Sequence, residues 1–506
     1  MKFTKIIATA SAVLMLLGVL ASCNNNKTDT PDNTDTKKDV IDTTKPTETD
    51  TQLNDDDTLD DYDFNKETFV ILARKSTLDE YYVDPKAEMT SVGREVYART
   101  LSIQDRFNVK IEVQEVNCDD GHRTAYTEML GNSVNSGVSP YHMLSGHMTV
   151  ISPQQYNGYL LDLCSLPEFD VKKEWWSEQI YNECNYDGKL YFAVGDIAYT
   201  MYAYMQVLFV NESAFTREKV DFDGDISEFY DMVRDGGWTM DKLIQYSTNY
   251  ASGLTDVSED EREYGLMLNQ HSSRAFVAST EASFEYRNET DELFLYEAPE
   301  TRMLTLLQQI KDNWVGKNNI HNPNTNGNDS KNSNVIFTEG RGLFYGQELG
   351  QAANFDMTDE YGIVPFPMYD EIQDGYRSTI RNSVSAVAVP SNVSSEDHTM
   401  IGVLVEAMGM YGYNEITPEY YGKVLSTRLL GDADGQDMLK LVREGFTIDH
   451  ALANTFGYGG VHPYSVYKSA IFGEKDFTTI WAENYGNLNG LLTTMKTKIN
   501  AVNTAG

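Results

Sequence analysis

Basic side chains and cysteines are scarce in this sequence, and each scarcity removes a class of function. Against 77 Asp and Glu stand only 40 Lys and Arg, a formal net charge of −37. Nucleic acids and anionic lipid surfaces recruit proteins through clustered Lys and Arg, so neither is an expected partner. Four cysteines form no Cys-x-x-Cys pair and no Cys/His spacing suited to zinc. The motifs of catalysis are missing as well: there is no Gly-x-Ser-x-Gly, no His-Glu-x-x-His and no phosphate-binding glycine loop. Carboxylates are so numerous that any pairing of them carries no information about glycoside chemistry. The stretch Asp221-Phe222-Asp223-Gly224-Asp225 lacks the sixth-position glycine and twelfth-position glutamate of a calcium loop and reads as a solvated turn. Asp432-Ala433-Asp434-Gly435 reads the same way. No catalytic residue, metal or cofactor is therefore assigned, and an enzyme is not expected. No internal repeat occurs, and no stretch beyond the first turns of the chain is apolar enough to span a bilayer.

The beginning of the chain is distinctive. Lys2 and Lys5 precede a short apolar run over 6–20, closed by Leu20-Ala21-Ser22-Cys23. The run is short for a membrane span and fits an export signal. Leu-Ala-Ser-Cys resembles the bacterial lipobox, which implies cleavage after residue 22 and a lipid on Cys23. Residues 23–63 are rich in Asn, Asp, Thr and Lys, with Asp55-Asp56-Asp57 and Asp60-Asp61. Such a segment buries too little apolar area to order itself and is expected to be an extended, acidic tether. Of the remaining cysteines, Cys164 and Cys184 have the option of pairing, and a partly buried free thiol is the favoured reading for each.

The rest, roughly 440 residues, exceeds what one hydrophobic core supports, so two lobes are expected. Phe69-Val70-Ile71-Leu72-Ala73 reads as a buried strand. Residues 92–107 follow with helical spacing and Asn108 as a left-handed stop. Residues 109–116 alternate as a half-buried strand, 123–134 read as helix and 141–144 as a third strand. Strand and helix in this alternation predict a parallel sheet with right-handed crossovers. Ligands of such sheets lie beyond the carboxyl ends of the strands, which here lead into Arg74-Lys75-Ser76, Asn117-Cys118-Asp119 and Ser145-Gly146-His147. Asp187-Gly188 supplies a hairpin turn. Residues 205–211 read as another buried strand, and Thr239 as the N-cap of a helix over 240–250. Helix is expected over 300–311, then an asparagine-rich loop over 318–334. Val335-Ile336-Phe337 reads as a strand running into the loop Gly340–Gly346. Strands at 361–367 and 384–390 precede a long apolar helix over 398–411 and a helical tail.

The order of these segments resembles extracellular solute-binding protein family 1, the sugar-binding lipoproteins of ABC importers. The resemblance rests on Tyr186-Asp187-Gly188-Lys189-Leu190-Tyr191, Val207-Leu208-Phe209-Val210-Asn211, Trp238-Thr239, Phe337-Thr338-Glu339-Gly340-Arg341-Gly342-Leu343 and Tyr361-Gly362-Ile363-Val364-Pro365-Phe366-Pro367. It implies an α/β, two-lobed, type II periplasmic-binding-protein-like fold with a hinge and an interlobe cleft. The first lobe would hold 64–206 and a return segment 376–430, the second 207–375, with a helical region 431–506 mainly on the second. It also implies a lipid-anchored, extracytoplasmic binder that hands a carbohydrate, such as an oligosaccharide, to ABC importer permease subunits. That binder is expected to be monomeric and to touch the membrane only through the Cys23 lipid.

Candidate ligand contacts are polar and aromatic residues at predicted strand ends. Trp238, Tyr202 and Tyr345 offer flat faces for a sugar ring, and Trp238 is preceded by two glycines that let a ligand approach. Arg74, His147, Arg381 and Glu348 offer paired hydrogen bonds to hydroxyls. Asp196, near the crossover, contacts ligand or hinge. A carbohydrate-active enzyme and a helical surface glycan-binding lipoprotein are the alternative readings; the latter lacks an opening strand-helix-strand unit.

Overall fold

The apolar run from Phe69 to Ala73 lies inside strand β1 (Thr68–Arg74), buried on both faces. It pairs in parallel with β2 (Lys110–Val116) and β3 (Met143–His147). The computed structural model describes residues 59, 61–250, 257–269, 271–321, 330–425, 433–473 and 475–505. The signal segment, Cys23, nearly all of the tether and residues 322–329 of the asparagine-rich loop lie outside them.

A second sheet is built from β4 (Gln206–Asn211), β5 (Tyr264–Met267), β8 (Ile320–His321), β9 (Gly342–Glu348) and β10 (Tyr361–Val364), with β6 (Glu285–Arg287) and β7 (Leu293–Leu295) forming a separate hairpin. The chain then returns to the first sheet as β11 (Ser385–Ala388), antiparallel to β3. The first sheet runs β11-β3-β1-β2 and the second β10-β4-β9-β5-β8. β2 is an edge, so none of its residues is buried: Lys110, Gln114 and Glu115 are exposed and the rest half-buried; β11, alternating in sequence, is buried throughout.

The crossover helices form where the sequence placed them, for identifiable reasons. Thr90 accepts a hydrogen bond from the Gly93 amide at the start of Ser91–Arg106, and Asn108, at φ 46°, turns the chain into β2. Gly137, at φ 78°, ends Arg123–Ser136. A left-handed residue at a helix end is the ordinary way to satisfy its last carbonyls. Asp187 and Gly188 both take positive φ and close the hairpin between Tyr186 and Lys189. Asp225 caps the helix Ile226–Arg234, so the acidic turn before it is a capping device. Thr239 precedes Met240–Asn249 without a side-chain cap.

One reading fails. Val335, Ile336 and Phe337 belong to a helix, Ser330–Thr338, and the strand is Gly342–Glu348, where a glycine-bounded loop was expected. The burial of all seven residues of β9 explains this: a central strand needs no alternation, and Gly346 packs its bare Cα against Ser272.

Two short stretches join the sheets. Gln206 donates its amide to Thr379 O (2.9 Å) and Arg381 donates to Tyr204 O (2.9 Å), so 204–206 and 379–381 run side by side as they pass between the halves. Residue 378 also bridges to Phe446, which brings the tail to the same junction. The tail was expected mainly on the second half but packs on both. Ser152 Oγ donates to Ala453 O (2.8 Å), and Tyr467 OH donates to Ser273 O (3.1 Å). Residues 58–506 thereby form one compact unit in which the two sheets stay distinct. Cys118, Cys164 and Cys184 are free thiols, the first and last buried. No described helix is long and apolar enough to cross a membrane.

Candidate functional site

Parallel strands deliver their following loops to one end of a sheet, and here both sheets turn that end toward the crossover. Arg74 closes β1, and its Nη1 donates to Ser383 O (2.8 Å) on the returning segment. His147 closes β3, opposite Ser385 of β11. Its Nε2 lies 3.0 Å from Asp120 Oδ1 and its Nδ1 lies 3.0 Å from Thr149 Oγ1. The loops leaving β1, β2 and β3 are thus drawn together by Arg74, Asp120 and His147.

The second half contributes from its own strand ends. Glu348 closes β9, opposite Gln206 at the start of β4. The Glu348 carboxylate is 5% exposed, and its Oε1 is 3.6 Å from Arg381 Nη1. Asn269, just beyond β5, donates Nδ2–H to Gln347 Oε1 (2.8 Å) and so seats the start of helix Ser272–Ser279 beside the end of β9. That helix carries Arg274, with His271 immediately before it. From the tail, His462 and Lys468 approach the same group.

Charges in this cluster feel one another across the two halves. Burial holds His271 down at about 3, and the Arg381 and Arg274 charges push the same way, while Asp120 opposes them. Burial lowers His462 to about 4, with Arg274 adding to the effect. His147 is also lowered by burial, against the pull of Asp120. The Asp120 carboxyl is held below its ordinary range by its hydrogen bond to His147. Burial raises Glu348, and Arg381 opposes that rise. At neutral pH the imidazoles are therefore uncharged donors and acceptors, while the guanidiniums supply fixed positive charge. Such a set is suited to gripping an oxygen-rich solute.

Arg74, His147, Glu348 and Arg381, expected as ligand contacts, thus meet at the junction of the two halves. Asp196 and Tyr202 meet elsewhere. Tyr202 OH donates to Asp196 Oδ1 (2.8 Å), as does Thr417 Oγ1 (2.5 Å), and burial raises the Asp196 carboxyl to about 6. Both line a groove of about 940 Å3 with Trp175, Tyr413, Tyr421 and Arg443, whose guanidinium lies 5.3 Å from the Tyr202 ring centroid.

Two expected contacts are corrected. Trp238 is 0% exposed; its Nε1–H donates to Pro365 O (2.9 Å) and its ring packs on Phe229, Tyr246 and Phe344. Gly236 and Gly237 do border a groove, of about 1030 Å3, but the indole turns inward from it. Tyr345 is likewise 0% exposed, and its hydroxyl donates to Asn334 Oδ1 (2.8 Å) while accepting from Gln347 Nε2 (2.8 Å). Both rings belong to the core of the second sheet.

Asp120, His271, Arg274, His462 and Lys468 escaped the sequence reading. Asp120 was one residue past a segment singled out as a strand end. His271 and Arg274 lie in the turn and helix that follow β5 rather than at its last residue, so a search of strand ends passes over them. His462 and Lys468 lie far along the chain and carried no signal.

No protein-family model matches the chain, and no curated protein matches its sequence. Solved structures do match in shape. UgpB from Mycobacterium tuberculosis, in complex with glycerophosphocholine, is similar at a TM-score of 0.53 and 13% identity, covering 84% of this chain and 98% of its own. A family 1 extracellular solute-binding protein from Bifidobacterium longum subsp. infantis gives 0.51 at 14% identity, covering 85% of this chain and 100% of its own. A cyclo/maltodextrin-binding protein complexed with maltotetraose gives 0.51 at 13%, covering 85% and 97%. The chain has the mixed α/β fold of these two-lobed, type II periplasmic-binding-protein-like structures.

Proposed function

We propose that this chain is an extracytoplasmic solute-binding protein, which encloses a carbohydrate between its two halves and presents it to the permease subunits of an ABC importer. The observation that carries this reading is the meeting of polar and charged side chains from both sheets at the crossover: Asp120 and His147 from one, Glu348 from the other, Arg381 between them. A carbohydrate presents many hydroxyls and few apolar faces, and each hydroxyl needs a partner when water is expelled. The structural neighbours are binding proteins, and two of them carry maltotetraose and glycerophosphocholine. These support a small polar solute and a role without turnover.

In this reading 64–206 and 376–430 form one lobe and 207–375 most of the other, and solute binding shifts the balance between open and closed arrangements. Cys23 is the lipid attachment point, and the acidic tether holds the binder away from the membrane. The opening β1-helix-β2-helix-β3 unit favours this reading over a helical glycan receptor.

A thermal-shift screen of the full chain against mono- and oligosaccharides tests it. A solute present at a hundred times its dissociation constant stabilises the folded state by about 2.7 kcal/mol. Release of cleaved products from any oligosaccharide would replace the binder by an enzyme. A mass increase on Cys23 in membrane-associated material tests the anchor.

A further inference from the structure

In a chain with 77 acidic side chains and 40 basic ones, an arginine has many carboxylates to choose from. Arg274 has none. It makes no ion pair among the described residues, and its Nε is buried without a hydrogen-bond partner. Burial works against its charge, and Arg381 repels it, while Tyr464 and Asp120 favour the charge without bonding to it. A desolvated guanidinium without a bonded counter-charge is a costly thing to keep in a fold.

Arg274 is not alone in this. The Nε atoms of Arg74 and Arg381 are also buried without partners, and Arg74 spends its one side-chain hydrogen bond on a backbone carbonyl. Arg381 faces Glu348 at 3.6 Å, beyond hydrogen-bond reach, and Glu348 Oε1 has no hydrogen bond. The fourth cation, Lys468, is half-buried on helix Pro463–Phe472. Against these four stand Asp120, already bonded to His147, and Glu348. These side chains come from both halves and the tail, so their shared neighbourhood is the space between the sheets.

We infer that the bound solute is an anionic saccharide, whose carboxylate or phosphate group is received by Arg274 together with Arg381 and Arg74. The inference rests on the reading that a carbohydrate binds between the halves, and adds its charge. Arginine forks match the two oxygens of either oxyanion, which a neutral sugar lacks.

Titration calorimetry on the full chain with maltotriose, trigalacturonate and glucose 6-phosphate decides it. One of the anionic probes is expected to bind at least about tenfold more tightly than maltotriose; whether it is the uronate or the phosphate ester identifies the oxyanion. Its affinity should fall as salt rises from low to high ionic strength. Arg274→Gln should weaken the anionic probe about tenfold or more and maltotriose by a clearly smaller factor, with Arg274→Lys intermediate for the anionic probe. The wild-type salt dependence keeps the test intact if either variant misfolds. Maltotriose binding as tightly as the anions, insensitive to salt and to Arg274→Gln, would overturn the anionic solute and leave the binder standing. No binding of any of the three would overturn both.

Discussion

Arg381 Nη1 lies 3.6 Å from Glu348 Oε1, and this pair ties the returning crossover segment to the last residue of the central strand of the second sheet. Its two members are unequal. Glu348 is buried, whereas the Arg381 side chain is more than a third exposed. Removing the arginine strands the carboxylate, while removing the carboxylate's charge strands little. Arg381→Met is therefore expected to destabilise the free chain by about 1–3 kcal/mol, and Glu348→Gln by less than about 1 kcal/mol. Denaturant unfolding of the two variants checks the asymmetry, and equal losses would contradict it.

Trp238 separates core from site. With its ring enclosed by Phe229, Tyr246 and Phe344, Trp238→Ala should lower stability by about 3–5 kcal/mol. Solute affinity, measured well below the melting temperature, should change little. A stable variant that has lost solute binding would return Trp238 to the site.

The buried carboxyl of Glu406 gives a pH test. It accepts Trp175 Nε1–H (3.0 Å) and Trp176 Nε1–H (2.9 Å), and burial raises it to about 7 from an ordinary value of 4.5. A carboxyl raised in the folded state holds its proton there after the unfolded chain has lost it. Its contribution is thus most favourable below pH 4.5 and declines as pH rises through about 7. Glu406→Gln removes that decline. The stability of the natural chain relative to the variant should fall, by on the order of 1–3 kcal/mol, between pH 5 and pH 8. A difference that stays flat, or grows with pH, would show that Glu406 is ionised throughout.

Much of the fold was legible because its first half follows local rules. β1 announced itself as an apolar run, β2 as alternation, and Asn108 and Asp187-Gly188 as the residues that tolerate left-handed backbone. The helix at Ser330–Thr338 was misread because Val335, Ile336 and Phe337 are consecutive and apolar, a pattern shared by short buried strands and helix ends. For the candidate site, the rule that ligands lie at strand ends pointed to Arg74 and His147, which the structure places at the junction of the two halves. It failed for Trp238, because glycines before an aromatic say nothing about which way the ring turns. It also failed for His462 and Lys468, which reach the junction only through the tertiary path of the tail.

The central claim is that both halves grip one solute at the crossover. Hydrogen exchange of the full chain, with and without the tightest solute from the screen, tests this most directly. Simultaneous protection of residues 117–123 in the first half, 271–275 in the second and 379–383 between them is the expected result. Protection confined to one half, or appearing instead at 172–179 and 413–421 around the Tyr202 groove, would contradict it.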